Sequence, residues 1–506
     1  MVKWKFHSIR WELVLLVVVL AAGFGLRMID LTNPPLDFHP DRQLSSGIIA
    51  RSMYIRMLQN SSQTHHTLAV ISSGNSDIYE PPILEGLVAL TYFVVGGEHL
   101  WIARIYTSLF WIIGGLALYD LVRRMTTAAG GLAALAFYLF VPFGVIASRS
   151  FQANPFMIMW MILSLHSLYR WSEDRTWKWA LLTGLLTGIA ALVKVYVAVF
   201  LAPALVAVVL STEGWKKSIR SLQVWSMAGI SIIIPALYYL LFIGARSAGF
   251  FVFWALSFTN LLVTPRFYFS WLGMIDQIVG EIVFFASLIG LFLLPPKGRY
   301  LALGLWIGYG IFGLLTPVQI YTHDYYSLQL IPIIAISMSA LLALVIRQIA
   351  QQKVIWQISA AGITLLTLLI SAWFARNAIV SQDFSSEAKG WTKMGTELPR
   401  DGKIIALTHE YGMRISYYGN IQVAVWPYVL DNNLSALRNG QQGTGFPSSG
   451  EFDQYFKTMT DGDRYFLVTR FDELDAQPLL KSKLNNYAIF KQGSGYIIFD
   501  LDHPLN

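Results

Sequence analysis

Long apolar runs recur through the first three quarters of this 506-residue chain. Each is about the length that crosses a bilayer: a hydrocarbon core of about 30 Å takes roughly 20 helical residues. Within that core every backbone N–H and C=O must be paired inside its own segment, so the runs are predicted to be helices. They fall near 11–31, 99–122, 128–147, 152–170, 177–192, 195–211, 222–243, 276–295, 300–316, 328–347 and 354–375, about eleven in all. The stretch 82–96 is apolar but short and ends in glycine, and reads as a re-entrant or interfacial helix. Charged residues make up 13% of the chain, against roughly 25% in soluble proteins. The expected fold class is an α-helical polytopic membrane protein.

The loops give the chain a direction, because short cytoplasmic loops are enriched in Lys and Arg. With the N-terminus inside, the inside loops carry Lys3, Lys5 and Arg10; Arg123 and Arg124; Arg170, Arg175 and Lys178; Lys216, Lys217 and Arg220; Lys297 and Arg299; and Arg347 and Lys353. The opposite loops hold isolated basic residues, Arg149, Lys194, Arg246 and Arg266. Eleven spans then put the loop 32–98 and the segment 376–506 outside. The run from Leu13 reaches spanning length, so an uncleaved signal anchor is expected rather than a cleaved signal peptide. Residues 1–382 hold 25 basic and 15 acidic side chains, and 383–506 hold 12 and 15. The basic excess therefore belongs to membrane loops. With no long basic run and no aromatic-interleaved basic motif, nucleic acid is not an expected partner. The chain has no cysteine, which excludes disulfides, thiolate metal sites and cysteine nucleophiles.

Beyond about residue 376 the apolar runs shorten and turn signals appear at Asp401-Gly402, Gly440, Pro447-Ser448-Ser449-Gly450 and Asp461-Gly462-Asp463. Strands are predicted at 403–408, 464–470 and 496–501 and a helix at 473–484, the pattern of a small α/β domain. Two domains are expected: 1–375, which spans the membrane and includes the loop 32–98, and a soluble 376–506.

Charges at helix mouths are candidate functional groups, since burying one there costs several kcal/mol. Most gather on the outside face. The acidic stretch Asp37-Phe38-His39-Pro40-Asp41-Arg42 follows the first span; Glu80-Pro81-Pro82 precedes the re-entrant stretch; Arg104 opens the second span. Arg149, Lys194 and Arg266 lie in outside loops, and His323-Asp324-Tyr325-Tyr326 lies in another. Asp37 and Asp41 suit a general base, or a metal site with His39. They equally suit a hydrated loop, or a cap for a helix starting near Gln43. The isolated basic residues suit a lipid-borne phosphate, although Arg104 and Arg149 taken singly read as snorkelling side chains. Glu80-Pro-Pro could be a plain helix start, and Tyr325 and Tyr326 an interfacial belt. His65-His66 is a weak metal signal, and the aromatic stripe 250–254 reads as packing.

These residues together resemble the GT-C superfamily of polyprenyl-phosphate-sugar glycosyltransferases, in the branch of the protein mannosyltransferases and aminoarabinose transferases. Asp41 falls at the first position of that family's acidic motif, followed by Ala50-Arg51, then Glu80-Pro81-Pro82-Ile83-Leu84. Gly97 through Arg104 to Arg123-Arg124, Ser148-Arg149 through Asn154, Gly184 to Lys194, and His323 through Tyr326 to Pro332 continue the likeness. The resemblance implies a sugar taken from an undecaprenyl- or dolichyl-phosphate carrier on the outer face of a cytoplasmic (inner) membrane. It passes with inversion to an outside acceptor that is a glycan, a lipid or a protein. Asp41, helped by Asp37, would be the base. Lys194, Arg149, Arg266 and Arg104 would stabilise the leaving phosphate. His323, Asp324, Tyr325 and Tyr326 would border the substrate, and Glu80 would position the sugar or bind a cation. A divalent cation, Mg or Mn, would draw on Asp41, Asp37, His39 and Glu80. Two positions depart from the pattern: Arg42 replaces the usual second acid and Asn154 replaces a common acid. The first weighs against a metal. The alternative is a secondary transporter, but transporters place charges near the midplane and often repeat internally, and neither feature is present in the sequence.

Overall fold

The computed structural model describes residues 5–58, 80–243, 258–438 and 448–505. His65-His66, Arg246 and the stripe 250–254 lie outside the described residues. The chain folds into two compact units that alternate along the sequence. Unit one comprises Met1–Thr32, Ile78–Leu84 and Trp101–Gln382; unit two comprises Asn33–Asp77, Glu85–Leu100 and Asp383–Asn506.

Unit one is helical. Among the described residues six helices are long and apolar enough to cross a membrane: Trp101–Met125, Val195–Glu213, Leu222–Phe242, Pro296–Leu315, Asp324–Ala350, and the one that begins at Val354. Two bent pairs raise the number to eight if each pair is one span. The predicted run 128–147 is two helices, Ala128–Phe140 and Pro142–Ser148, bent by 64°. The bend falls at Val141-Pro142, where proline removes a backbone donor and disfavours helix in the residue before it. The predicted span 276–295 is likewise a pair, Pro265–Val279 and Glu281–Leu293, bent by 92°. Its hinge is Gly280, at φ 83°, a left-handed conformation that costs glycine nothing. Arg266, predicted in a loop, stands in the first turn of Pro265–Val279.

Packing in unit one is close where side chains are small. A Cβ on Gly304 would lie 2.4 Å from the Ala204 Cα, and one on Gly308 would lie 2.6 Å from the Phe200 Cα. Helices Ala198–Glu213 and Pro296–Leu315 therefore meet backbone to backbone, the packing that small-xxx-small spacing permits. In contrast, Val354–Val380 buries only Ala375 and Ile379. Such all-round apolar exposure suits a lipid-facing helix.

Unit two contains a five-stranded sheet: β1 (Ile404–Leu407), β2 (Ala424–Val425), β3 (Tyr465–Val468), β4 (Tyr487–Gly493) and β5 (Tyr496–Pro504), in the order β2-β1-β3-β5-β4. β1 runs parallel to both β2 and β3, with Ile405 opposite Phe466 and Ala424. β5 is antiparallel to β3 and to β4. All four residues of β1 and of β3 are buried, as expected of strands covered on both faces. Ile405, Leu407, Phe466 and Val468 pack with Trp426, Phe456 and Leu480 on one face. Ile404, Ala406, Tyr465 and Leu467 pack with Trp391 and Ile415 on the other. The α/β reading of this segment holds. The predicted helix 473–484 is two, Phe471–Asp475 and Pro478–Leu484, because Gln477 precedes a proline. β2 and β4 went unpredicted.

Candidate active site

In unit one the helix Trp177–Val193 stops at Lys194, whose backbone is extended (φ −149°, ψ 111°). A short 3-10 turn, Val195–Val197, then leads into Ala198–Glu213. At this break the Lys194 Nζ donates to both carboxylate oxygens of Glu80, each at 2.8 Å. The two candidates, predicted separately, are one ion pair. The Lys194 side chain is 13% exposed and that of Glu80 is 38%, so the pair is reachable mainly from the Glu80 side. The ammonium also lies 5.8 Å from the centroid of the Tyr196 ring, a cation–π distance.

Tyr196 connects this pair to the predicted aromatic border. Its ring meets Tyr326 edge-on at 5.5 Å and Phe312 at 5.3 Å. Tyr325 and Tyr326 lie 4.6 Å apart, and His323 is 5.6 Å from Tyr325. Asp324 opens the 3-10 turn Asp324–Ser327 that carries both tyrosines. Asn154 Nδ2 donates to the Tyr196 hydroxyl (3.2 Å) and to the Tyr325 carbonyl (3.0 Å). An amide can donate twice from one nitrogen where a carboxylate cannot donate at all, so Asn154 ties two segments that an acid would not. Neither Tyr196 nor this role for Asn154 was predicted; the only sequence signal was Tyr196 lying two residues beyond Lys194.

Arg104 and Arg149 do not snorkel. They are 2% and 1% exposed, and both reach the end of the first helix, Lys5–Arg27. Arg149 Nη2 donates to the Asp30 carbonyl at 3.0 Å. Arg104 Nη1 donates to the Leu31 carbonyl at 3.0 Å and the Asp30 carbonyl at 3.4 Å. Carbonyls just past a helix C-terminus attract cations. A third buried arginine, Arg27, donates to Ser148 Oγ (2.7 Å), the Gly23 carbonyl (2.7 Å) and the Leu139 carbonyl (3.1 Å). It is close enough to Arg149 to repel it electrostatically. Arg27 was overlooked because a basic residue at the end of an apolar run reads as an interface anchor. Arg266 is exposed and interacts electrostatically with Tyr321.

The acidic stretch belongs to unit two. Its helix, Pro40–Met57, starts three residues earlier than the predicted Gln43, with proline in the first turn. Asp37 Oδ1 accepts from the Phe38 N–H and from Gln43 Nε2, each at 3.0 Å, and so fastens the turn that enters the helix. Asp41 stands in the first helical turn with 32% of its side chain exposed, 3.6 Å from the Arg42 Nε. His39, at φ 46°, precedes the helix in a left-handed conformation. Both Asp41 and His39 interact electrostatically with Glu410. Burial, with the Asp41 charge added to it, pushes the Glu410 carboxyl above the usual carboxylate range.

Among the described residues no three His, Asp or Glu side chains converge as a metal-ligand set.

The fold is that of the GT-C glycosyltransferases, a class of polytopic membrane proteins. Residues 79–239 match the family model described as dolichyl-phosphate-mannose-protein mannosyltransferase. ArnT from Cupriavidus metallidurans bound to undecaprenyl phosphate superposes with a TM-score of 0.56 at 13% identity, covering 98% of each chain. Its apo form gives 0.56 at 15% identity, covering 97% of this chain and 98% of that one. The oligosaccharyltransferase AglB from Archaeoglobus fulgidus, in complex with an inhibitory peptide and a dolichol-phosphate, gives 0.58 at 12% identity over 99% of this chain and 76% of that one. At such identities the agreement is one of fold. No curated protein matches by sequence.

Proposed function

We propose that this chain is an integral-membrane glycosyltransferase that moves a sugar from a polyprenyl-phosphate carrier to an extracytoplasmic acceptor, with inversion at the anomeric carbon. The observation that carries the reading is that the segment matching the mannosyltransferase family model, 79–239, holds Glu80, Arg104, Arg149 and Lys194. In this mechanism the acceptor hydroxyl attacks the anomeric carbon and gives its proton to Asp41. The bond from that carbon to the carrier phosphate breaks, and its electron pair leaves on the phosphate oxygen. Charge developing on a leaving oxygen is best stabilised by donors already in place. Lys194 suits this role: an ammonium has three donors, and Glu80 accepts two. Arg149 and Arg104 supply buried positive charge, and Arg266 an exposed one. His323, Asp324, Tyr325 and Tyr326 border the sugar. Asp37 holds the turn that presents Asp41. The membrane is the cytoplasmic one, with unit two on its outer side.

Asp41→Asn tests the base in membranes supplied with a polyprenyl-phosphate sugar. Turnover should fall by about 10²- to 10⁴-fold, the usual worth of a positioned base; an unchanged rate would remove Asp41 from that role. Lys194→Ala should weaken donor binding more than Glu80→Gln does. Equal losses, with no further loss in the double variant, would mean that Lys194 serves only Glu80.

A further inference from the structure

Helices Ala198–Glu213 and Leu222–Tyr238 follow one another in unit one, but small residues draw them to different neighbours. A Cβ on Gly184 would lie 2.8 Å from the Met227 carbonyl oxygen, and one on Gly188 would lie 3.1 Å from the Ile230 carbonyl oxygen. Leu222–Tyr238 therefore meets Trp177–Val193 backbone to backbone, as Ala198–Glu213 meets Pro296–Leu315 at Gly304 and Gly308. The gap left between the two is a groove of about 430 Å³, within the range of about 300–1,000 Å³ that holds small ligands. Ala198, Ala202 and Ala228 line its walls, and their side chains are too short to close it.

The lining suits hydrocarbon. Its three hydroxyls are spent inside the protein: Ser218 donates to the Gly214 carbonyl and Ser231 to the Met227 carbonyl, each at 2.8 Å, and Thr187 shares a bond of 2.6 Å with Ser164. Every other lining side chain is aliphatic, Met or Trp. From Ala198 to Leu210 the groove follows its helix for about 18 Å, at about 1.5 Å per residue. That matches one leaflet, since the whole hydrocarbon core is about 30 Å thick.

One end of the groove is marked. Trp215, Ser218, Ile219 and Trp225 line it there. The two tryptophans are 68% and 61% exposed, as tryptophans are where lipid headgroups begin, and Trp225 Nε1 is fixed by the Ile219 carbonyl at 2.9 Å. The same turn carries Lys216, Lys217 and Arg220, all exposed, and among the described residues none of the three forms an ion pair. Glu213 is the one acid between residues 211 and 223, so this mouth keeps a net positive charge. Beyond the opposite end, the Lys194 ammonium is already paired with Glu80. An amphiphile in the groove therefore finds the complement to a negative headgroup at the 214–221 turn. Basic clusters beside an apolar helix recognise anionic lipid in this way.

We propose that the groove holds one acyl chain of an anionic phospholipid, whose phosphate is held by Lys216, Lys217 and Arg220. In the orientation proposed above, this lipid belongs to the cytoplasmic leaflet. It fills the space between two helices that small residues have pulled apart.

The test is native mass spectrometry of the full-length protein in detergent, with phosphatidylglycerol, phosphatidylcholine of the same chains, and undecaprenyl phosphate as probes. The wild type should retain one phosphatidylglycerol at least about tenfold more tightly than phosphatidylcholine. Lys216→Gln, Lys217→Gln and Arg220→Gln together should bring the two lipids to equal affinity. Ala202→Phe, which fills the groove, should lower retention of both, and Lys194→Ala should leave phosphatidylglycerol retention unchanged. Equal affinities in the wild type, a preference that survives in the triple variant, or unchanged retention in Ala202→Phe would each overturn the proposal. Loss of phosphatidylglycerol in Lys194→Ala, or its one-for-one displacement by undecaprenyl phosphate, would assign the groove to the carrier chain instead. A lipid-free dimer that Ala202→Phe dissociates would assign it to a second copy of this chain, and would equally overturn the proposal.

Discussion

Arg51 holds four groups of unit two at once. It donates to both Glu98 oxygens at 3.1 and 2.8 Å, to the Tyr417 carbonyl at 2.6 Å and to Asn420 Oδ1 at 3.2 Å. Its guanidinium also lies over the Tyr417 ring at 3.9 Å. In the sequence it is only the second residue of Ala50-Arg51; in space it joins the helix after the acidic stretch to the α/β segment. Removing one member of a mostly buried pair strands the other charge, so Arg51→Ala should destabilise unit two by on the order of 3 kcal/mol, read as a lowered unfolding temperature. His409 carries a pH dependence. Burial, and then the Arg470 charge, hold its pKa below the ordinary 6.5, with Asp472 opposing. The unfolded chain therefore binds the proton more readily than the folded one. The stability contributed by neutral His409 is complete above 6.5 and is lost as pH falls through the window below it. His409→Gln should flatten the fall in thermal stability on the acid side of 6.5, and NMR titration of His409 should give a midpoint below that value. A midpoint at or above 6.5 would contradict the assignment.

At the scale of elements, apolar length predicted where helices lie better than where they break. Pro142 lies inside a run, 128–147, that is apolar enough to read as one span and so hid a 64° bend. Gly280 was one glycine among 39, and only its φ of 83° marks it as a hinge. Parallel strands as short as β2 leave almost no alternating pattern to read, which is why Ala424–Val425 was missed. The glycines of Pro296–Leu315 matter through what they touch. Gly304→Val would push its side chain into the Ala204 backbone, so helices Ala198–Glu213 and Pro296–Leu315 must separate. Overpacking of this kind typically costs about 1–3 kcal/mol. The detergent-solubilised variant should melt at a lower temperature, whereas Gly310→Val, with open space around its Cβ, should not.

The whole molecule allows a direct test of orientation, because a chain without cysteine accepts single reporters cleanly. Asp475→Cys lies in exposed unit-two surface, and Gln352→Cys in a loop predicted to face the cytoplasm. A membrane-impermeant maleimide should label Asp475→Cys in intact cells and Gln352→Cys only after permeabilisation; the opposite pattern would invert the topology. By itself the sequence determined the solvent and the class. Charge depletion and run length are sums over many residues, so they survive ignorance of any one contact, and most of the family-like motifs lie at the ends of such runs. Which charges act together was decided only by tertiary structure. Glu80 and Lys194 are 114 positions apart and form one ion pair; Arg104 and Arg149 meet at the end of a helix distant from both. The order in which the strands of unit two lie follows from packing both faces of a sheet rather than from any local pattern.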